Sequence, residues 1–116
     1  MGIAKIRGKC GEALAAAYLE LVGFELLGRN VKLAGVEVDL IARDRSTQVL
    51  VEVKMRGRTD YGGAALAVDH RQRERLRRAA HALLVAHPGA VRIDLIAIEL
   101  AQDGAAVRHY RNAITE

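Results

Sequence analysis

Four charged residues in two neighbouring apolar runs are the part of this sequence best suited to chemistry. Glu37 and Asp39 lie in the run G-V-E-V-D-L-I-A, and Glu52 and Lys54 lie in V-L-V-E-V-K-M-R. Apolar and charged residues alternate with a period of two, which predicts two β-strands, and D-R-S-T between them is typical of a turn. The pattern places four apolar residues on one face of the first strand: Val36, Val38, Leu40 and Ala42. If the turn folds the strands into a hairpin, the four charged side chains converge.

The chemistry of such a cluster follows from the repulsion among its carboxylates. Carboxylates crowded on a sheet resist ionisation, and a divalent cation with oxygen ligands, or a lysine among them, relieves the repulsion. Asp39 and Glu52 would hold Mg²⁺, which lowers the pKa of a bound water, and Lys54 would position that water against a phosphate. These residues therefore suit a metal-dependent nuclease. A strand with one solvated face would carry the same charges, so the pattern alone leaves both interpretations open.

The bulk composition limits the classes of protein to consider. The chain has 116 residues, enough for one domain spanning residues 1–116 with a modest core. Its net charge is +4 and its pI is about 9.6, which favours an anionic partner, nucleic acid above all. The single cysteine, Cys10, cannot form an internal disulfide, which fits the cytoplasm. No apolar run is long enough for a membrane span, and the absence of tryptophan argues against a stacking platform for single-stranded bases.

A first helix is predicted over about residues 8–22, where A-L-A-A-A favours helix formation. Gly23 is predicted to end it, and its apolar face is predicted to contain Leu14, Tyr18, Leu21 and Val22. Glu12 is out of place, because it shares a stripe that should be mostly buried with Ala15, Ala16 and Leu19. The alternative is that Glu12 simply favours the positive N-terminal end of the helix.

Three strands are predicted after this helix. Residues 24–33 form the first, with Gly28 as a bulge, and the two strands of the hairpin complete an antiparallel meander. Residues 56–68 contain three glycines and follow Lys54 closely. They are either a loop that contacts substrate or an ordinary crossover.

A second helix is predicted from Asp69 to about His87. Asp69 is its N-cap, and Gln72 stands where a capping-box partner belongs. The inner face is predicted to contain Leu76, Ala80, Leu83 and Leu84, and the opposite side to contain Arg71, Arg75 and Arg78. A charged outer face of this kind is usually solvated, although its arginines would also suit phosphate groups.

Two further strands are predicted after the second helix. Residues 91–100 form an apolar strand that a right-handed crossover would pair parallel to the hairpin, and residues 107–110 form a short last strand. Asp94 interrupts the apolar strand. It either supports the site or pairs with a neighbouring arginine, and we favour the arginine.

The order of helix, three strands, helix and strand resembles the core of the PD-(D/E)xK, restriction-endonuclease-like superfamily. The nearer resemblance is to the bacterial YraN family, which is similar to archaeal Holliday junction resolvases. The motifs that carry it cover most of the chain: G-x-x-G-E-x-x-A at 8–15, E-V-D-L-I-A at 37–42, V-E-V-K-M-R at 51–56, R-I-D at 92–94 and N-A-I at 112–114. The resemblance implies an α/β fold, with a restriction-endonuclease-like core and a mixed central sheet.

The resemblance also implies roles for individual residues. Asp39 and Glu52 match the metal-binding carboxylates, and Lys54 matches the catalytic lysine. The backbone carbonyl of Val53 would also bind the metal. Glu12 matches the first-helix glutamate that completes the site in resolvase-like nucleases.

Two positions depart from the family pattern. Val36 precedes Glu37 where the family usually has glycine, and Gln72 stands where lysine is common. Glu37 and Gln72 are therefore expected to be accessory site residues. The residues expected to hold the nucleic-acid backbone are Arg56, Arg58, Arg71 and Arg75.

These assignments imply Mg²⁺-dependent hydrolysis of phosphodiester bonds in DNA, with Mn²⁺ as a substitute cation. Branched or otherwise structured DNA is the expected substrate. The alternative, from a different class, is a nucleic-acid-binding module with a nuclease fold and no effective turnover. A resolvase that acts on a symmetric junction would be expected to form a homodimer.

Overall fold

Two helices and five strands follow one another in the order that the sequence predicts. The structure is a computed structural model that describes residues 3–57 and 68–115, with the side chains of residues 9–55 and 68–115. The elements are α1 (Ile3–Leu21), β1 (Glu25–Leu33), β2 (Val36–Asp44), β3 (Thr47–Gly57), α2 (His70–Ala86), β4 (Val91–Ala101) and β5 (Gly104–Ile114). The predicted α/β class is confirmed. Among the described residues, no helix is long and apolar enough to cross a membrane.

The strands form one mixed sheet in the order β1-β2-β3-β4-β5. The meander of β1, β2 and β3 is antiparallel, and β3 pairs parallel with β4, which follows α2. The predicted bulge is confirmed as a shift in register between Leu26 and Gly28. β5 pairs antiparallel with β4 and is longer than the predicted residues 107–110. Its added residues are mostly small or polar, so they show no strand periodicity of their own.

Each helix covers one face of the sheet with an apolar layer. The α2 layer contains Leu76, Ala79 and Leu83 with Val36, Val38, Ile41, Leu50, Val68, Ile93, Leu95 and Ile114. The α1 layer contains Ala15, Ala16 and Leu19 with Phe24, Leu40, Ala42, Val49, Val51, Ile96 and Ile98. Burial on both faces explains why the central strands carry apolar residues on both of their faces.

The alternation of β2 breaks at Asp39. Val38 belongs to the α2 layer and Leu40 to the α1 layer, so the prediction that they share a face with Val36 and Ala42 is wrong. In β1, the register places Asn30 opposite Asp39, and the φ of Asn30 is 51°. Among non-glycine residues, asparagine tolerates this left-handed conformation best. The change of layer in β2 therefore lies opposite a residue with a left-handed backbone in β1.

Small residues set the distance between α1 and the sheet. The buried face contains Gly11, Ala15, Ala16 and Leu19, which confirms the stripe predicted beside Glu12. The predicted apolar face is wrong, because Leu14, Leu21 and Val22 are exposed. A side chain at Gly11 would meet Met55 of β3, with the added Cβ only 3.1 Å from the Met55 sulfur. Close approach therefore selects the glycine and alanine face over the bulky one.

A fully buried carboxylate, Asp94 of β4, ties the sheet together. Arg92 donates to both of its oxygens, at 2.9 and 3.2 Å, and the Asn112 N–H donates to Oδ1 at 2.9 Å. His109 Nε2 lies 2.8 Å from Oδ2. Burial alone would raise the pKa of Asp94, but the bonds from His109, Arg92 and Asn112 hold the pKa below its ordinary value. The expected pairing of Asp94 with an arginine is confirmed.

The same network extends from the sheet to α1. His109 lies between the two elements: its Nε2 is 2.8 Å from Asp94 Oδ2, and its Nδ1 is hydrogen-bonded to the Tyr18 hydroxyl at 3.1 Å. The Tyr18 ring packs edge-on against the His109 ring, with centroids 5.5 Å apart. Arg92 also reaches Asp44, at the end of β2, at 3.0 Å. The network thereby fixes α1, β2, β4 and β5 relative to one another.

Replacing the buried carboxylate should destabilise the fold strongly. We expect Asp94→Ala to lower the free energy of unfolding by about 3–5 kcal/mol, because Arg92 and His109 lose a shared buried partner. Urea denaturation followed by circular dichroism measures the change. The control is Glu99→Ala, which removes a carboxylate 4.0 Å from exposed Arg108 and should cost less than about 1 kcal/mol. Equal losses in the two variants would contradict a special role for Asp94.

Candidate functional site

The predicted site lies where β2 and β3 separate. Their residue pairs run from Asp44 and Thr47 at the turn to Leu40 and Val51. Beyond the last pair, the Val53 N–H donates to Asp39 Oδ2 at 2.8 Å. A side-chain oxygen thus takes the place that a backbone carbonyl occupies in a regular ladder. This bond holds the partly buried Asp39 carboxylate against β3.

Glu52 is the second carboxylate of the site and is only 7% exposed. It lies on the face of β3 that is directed towards α2, and its Oε1 accepts from Gln72 Nε2 at 2.8 Å. The same oxygen is 3.6 Å from Lys54 Nζ. The structure therefore brings together Asp39, Glu52 and Lys54, three of the four residues that the sequence predicts to converge. The fourth, Glu37, is exposed and lines a cavity beside Glu52.

Gln72 connects the site to the start of α2. Asp69 caps the helix as predicted, because its side chain accepts from the Gln72 N–H at 2.8 Å. In a complete capping box, the Gln72 side chain would turn back to the N–H of the cap residue. The Gln72 side chain donates to Glu52 instead. The capping box therefore keeps the bond from the Gln72 N–H to Asp69, and its second bond is replaced by a contact with the site.

Glu12 approaches the two carboxylates from α1. Burial raises the pKa of Glu12, as do the charges of Asp39 and, to a smaller extent, Glu37. A side-chain hydrogen bond with Asn30 and the charge of Arg29 act in the opposite direction. Asn30 was not among the predicted site residues, although asparagine in a strand is a signal for the left-handed backbone found there.

Burial also raises the pKa values of both central carboxyls. For Glu52, burial and then the charge of Asp39 raise the pKa to about 7, against the charge of Lys54. For Asp39, burial raises the pKa, and the bond from the Val53 N–H limits the rise. The hydrogen bond between the two carboxyls raises the pKa of Glu52 and lowers that of Asp39.

The donor atoms of this pair suit a hard cation. Asp39 and Glu52 offer carboxylate oxygens, which are the ligands that Mg²⁺ and Mn²⁺ prefer. Among residues 3–57 and 68–115, no three His, Cys, Asp or Glu side chains form a group that could hold one ion. Asp39 and Glu52 would therefore need further ligands to hold a cation, and Glu12 as one of these ligands stays a prediction. The Val53 carbonyl as a ligand stays a prediction.

The residues predicted to bind nucleic acid are only partly described. Arg71 and Arg75 are exposed on α2, and Arg75 lines a cavity of about 60 Å³ whose wall includes Glu37, Glu52 and Gln72. Arg56 lies at the end of β3, with its side chain outside the described residues. Arg58 and the predicted loop after it, apart from Val68, also lie outside them.

Two larger cavities lie on the opposite flank of α2, beside β4 and β5. One of about 450 Å³ is lined partly by Arg73, Leu95 and Tyr110. The other, of about 330 Å³, is lined partly by Arg77 and Val91. Neither has a carboxylate among its described lining residues. These two larger cavities therefore lack the carboxylates that line the small cavity beside Glu52.

The raised pKa of Glu52 predicts a stability that depends on pH. Folding raises this pKa from its ordinary 4.5 to about 7, so the protonated carboxyl favours the folded state. That stability is complete below pH 4.5 and is lost as the pH rises towards 7. In EDTA at pH 8, Glu52→Gln should raise the free energy of unfolding by about 1–3 kcal/mol. At pH 4.5 the gain should be below about 0.5 kcal/mol.

Urea denaturation at the two pH values measures this difference. Glu20→Gln is the matched control, because Glu20 is exposed on α1 and its substitution should change stability by less than about 0.5 kcal/mol. A Glu52→Gln variant that is less stable than the wild type at pH 8 would show that the ionised carboxylate is well compensated without a cation.

Comparison with known proteins identifies related sequences over most of the chain. The profile of the uncharacterised protein family UPF0102 matches residues 11–98. A UPF0102 protein of Halorhodospira halophila is 44% identical over 110 residues, which cover 95% of this chain and 88% of the relative. A UPF0102 protein of Geobacter sulfurreducens is 42% identical, covering 94% of this chain and 88% of the relative. A third, of Frankia casuarinae, is 41% identical, covering 91% and 93%.

The matched residues 11–98 include all the described side chains of the site: Glu12, Asn30, Glu37, Asp39, Glu52, Lys54 and Gln72. The extent of the match confirms the resemblance that the motifs indicated. The chain belongs to the uncharacterised protein family UPF0102, the YraN family.

Proposed function

We propose that this protein hydrolyses phosphodiester bonds in DNA with the help of a divalent cation. The favoured substrate is branched or otherwise structured DNA. The observation that carries the proposal is the pairing of partly buried Asp39 with buried Glu52, with Lys54 Nζ 3.6 Å from Glu52. Two carboxylates buried side by side are costly, and a protein with a purely structural sheet has no use for them. A cation site requires such a pair.

Each residue of the site has a distinct role in this proposal. Asp39 and Glu52 would hold Mg²⁺, or Mn²⁺ in its place, with the Val53 carbonyl as a further ligand. The cation, when bound, supplies a water of lowered pKa and neutralises phosphate charge. Lys54 would donate from Nζ to orient the attacking water, and Gln72 would hold the Glu52 carboxylate in place. Glu12 and Glu37 add negative charge beside the ligands.

One observation favours a second candidate, a nucleic-acid-binding module with no effective turnover. Within the described part of the chain, the carboxylates do not form a group of three that could hold one ion. A binding module needs no complete cation site, whereas a nuclease would have to gain further ligands from water, Glu12 or the substrate. Cleavage assays in Mg²⁺ and Mn²⁺ separate the two candidates.

Removing a ligand or the lysine should separate cleavage from binding. Asp39→Asn and Lys54→Ala are each expected to reduce cleavage of branched DNA at least about 100-fold, because each removes a group that acts on the attacking water. Binding to the same DNA should stay within about threefold, since neither change removes a positive surface that tracks the backbone. Glu25→Gln is the control, because Glu25 is exposed and its carboxylate pairs with Arg43, not with a site residue. Cleavage retained in both variants would refute the mechanism.

Cation binding itself gives an independent measurement. Isothermal titration of Mg²⁺ and Mn²⁺ should show binding to the wild type and none to Asp39→Asn, with circular dichroism to confirm that the variant is folded. The titration is repeated with an uncleavable DNA, because substrate phosphate can complete the coordination of a cation. No divalent binding under either condition would favour the binding module.

The contact between Gln72 and Glu52 predicts a graded effect of substitutions. Gln72→Lys keeps a donor for Glu52 and should retain cleavage within about threefold, whereas Gln72→Ala should lose about 10–100-fold, as expected when a residue that orients a metal ligand is removed. Cleavage rates at saturating Mg²⁺ measure the effect. Arg73→Ala, one residue further along α2 on its other flank, is the control. Equal rates for Gln72→Ala and the wild type would exclude a positioning role.

A further inference from the structure

The arginines of α2 divide into two groups that face different parts of the molecule. Arg73 and Arg77 line the cavities beside β4 and β5, and Arg77 donates to the Thr115 carbonyl and pairs with Glu74. Arg75 lines the small cavity beside Glu52 on the opposite flank. The helix repeat puts Arg71 and Arg78 on the same line as Arg75, at spacings of four and three residues. We call these three residues the arginine stripe.

The arginine stripe concentrates three positive charges on one flank of α2. Arg71, Arg75 and Arg78 are all exposed, and none of them forms an ion pair with a described residue. Like charges at these spacings repel and destabilise a helix. A surface that only needs to be solvated usually mixes charges of both signs. The stripe therefore keeps an unfavourable arrangement that an anionic partner would reverse.

The position of the stripe relates it to the candidate site. Arg71 directly precedes Gln72, whose side chain bonds to Glu52 at 2.8 Å, and Arg75 shares a cavity wall with Glu52. From Arg71 to Arg78 the helix rises about 10 Å. The stripe thus begins beside Glu52 and continues away from it along one flank of α2.

The chemistry of the partner follows from the spacing and from what surrounds the stripe. Three guanidinium groups over about 10 Å match a regular series of phosphates rather than a single anion. Single-stranded nucleic acid is usually held by aromatic side chains on which its bases stack. α2 contains no Phe, Tyr or Trp, and the described walls of the cavity beside Glu52 contain none either. A duplex, which presents its backbone and needs no stacking, fits this surface better.

We propose that the arginine stripe binds the phosphate backbone of a nucleic-acid duplex to one side of the linkage at Asp39 and Glu52. The placement of that linkage rests on the proposed function, but binding of the duplex does not. The stripe holds two or three consecutive phosphates, and Gln72 separates this binding surface from the carboxylate pair. The substrate is therefore an arm of duplex that runs along α2.

The test compares two triple variants that lower the net charge by the same amount. The first is Arg71→Gln/Arg75→Gln/Arg78→Gln. The second is Arg45→Gln/Arg73→Gln/Arg108→Gln, in which exposed arginines from the β2–β3 turn, the other flank of α2 and β5 are replaced. Circular dichroism confirms folding. Fluorescence anisotropy with a 20-bp duplex in EDTA, over a range of NaCl concentrations, measures affinity without cleavage.

The stripe variant should bind the duplex at least about 10-fold more weakly, and its slope of log K against log salt should be smaller by about 2–3, because about 0.9 is lost per phosphate contact. The control variant should stay within about threefold of the wild type. Equal losses would mean that net charge alone drives binding, which overturns the proposal. Tighter binding of a single strand of the same length, or no duplex binding by the wild type, would overturn it too.

Failure of this inference can be distinguished from failure of the proposed function. Stripe-dependent binding without cleavage in Mg²⁺ or Mn²⁺ would leave the duplex surface standing and refute the hydrolysis. Cleavage by the stripe variant with an unchanged KM would support the hydrolysis and overturn the role of the stripe.

Discussion

Two acidic side chains enclosed next to each other within a sheet are the constraint around which this structure is arranged. Asp39 and Glu52 lose most of their hydration and repel each other, a combination that ordinary packing does not tolerate. Their neighbours offset the cost one bond at a time. The Val53 N–H donates to Asp39. Gln72 donates to Oε1 of Glu52, and Lys54 pairs with the same oxygen. The cost that remains is expressed in the raised pKa values of both carboxyls.

The two helices supply this site in different ways. α1 approaches the sheet closely because Gly11 stands opposite Met55 and its neighbours on that face are alanines, so Glu12 can approach Asp39. α2 contributes through its first turn, where Gln72 gives up a local bond for one with Glu52. The network around Asp94 has no direct part in the site. Its role is to fix the relative positions of the elements that carry the site residues.

How much of this could be predicted depended on whether the signal was local. The period of two in the hairpin predicted correctly that Glu52 and Lys54 share a face, and the cap at Asp69 was recognisable from its spacing. The face of α1 was predicted wrongly, because bulky residues dominate a helical pattern while the close contact is made by Gly11. The change of face at Asp39 occurs opposite Asn30 in the neighbouring strand β1. The partner of Gln72 is Glu52, which lies in β3, 20 residues earlier in the chain. Contacts of that kind leave no periodic trace in the sequence.

The Asp94 network has a consequence for the order in which the protein can form. Every described side chain of the candidate site precedes residue 73, whereas Asp94 and its partners His109 and Asn112 lie in β4 and β5. The parallel pairing of β3 with β4 joins residues more than 40 positions apart, which is a slow contact to make during folding. A nascent chain that has not yet produced β5 therefore already contains the described residues of the candidate site. It still lacks His109 and Asn112, which bond to the Asp94 carboxylate. This network can therefore fix the elements that carry the site residues relative to one another only after synthesis has passed Asn112.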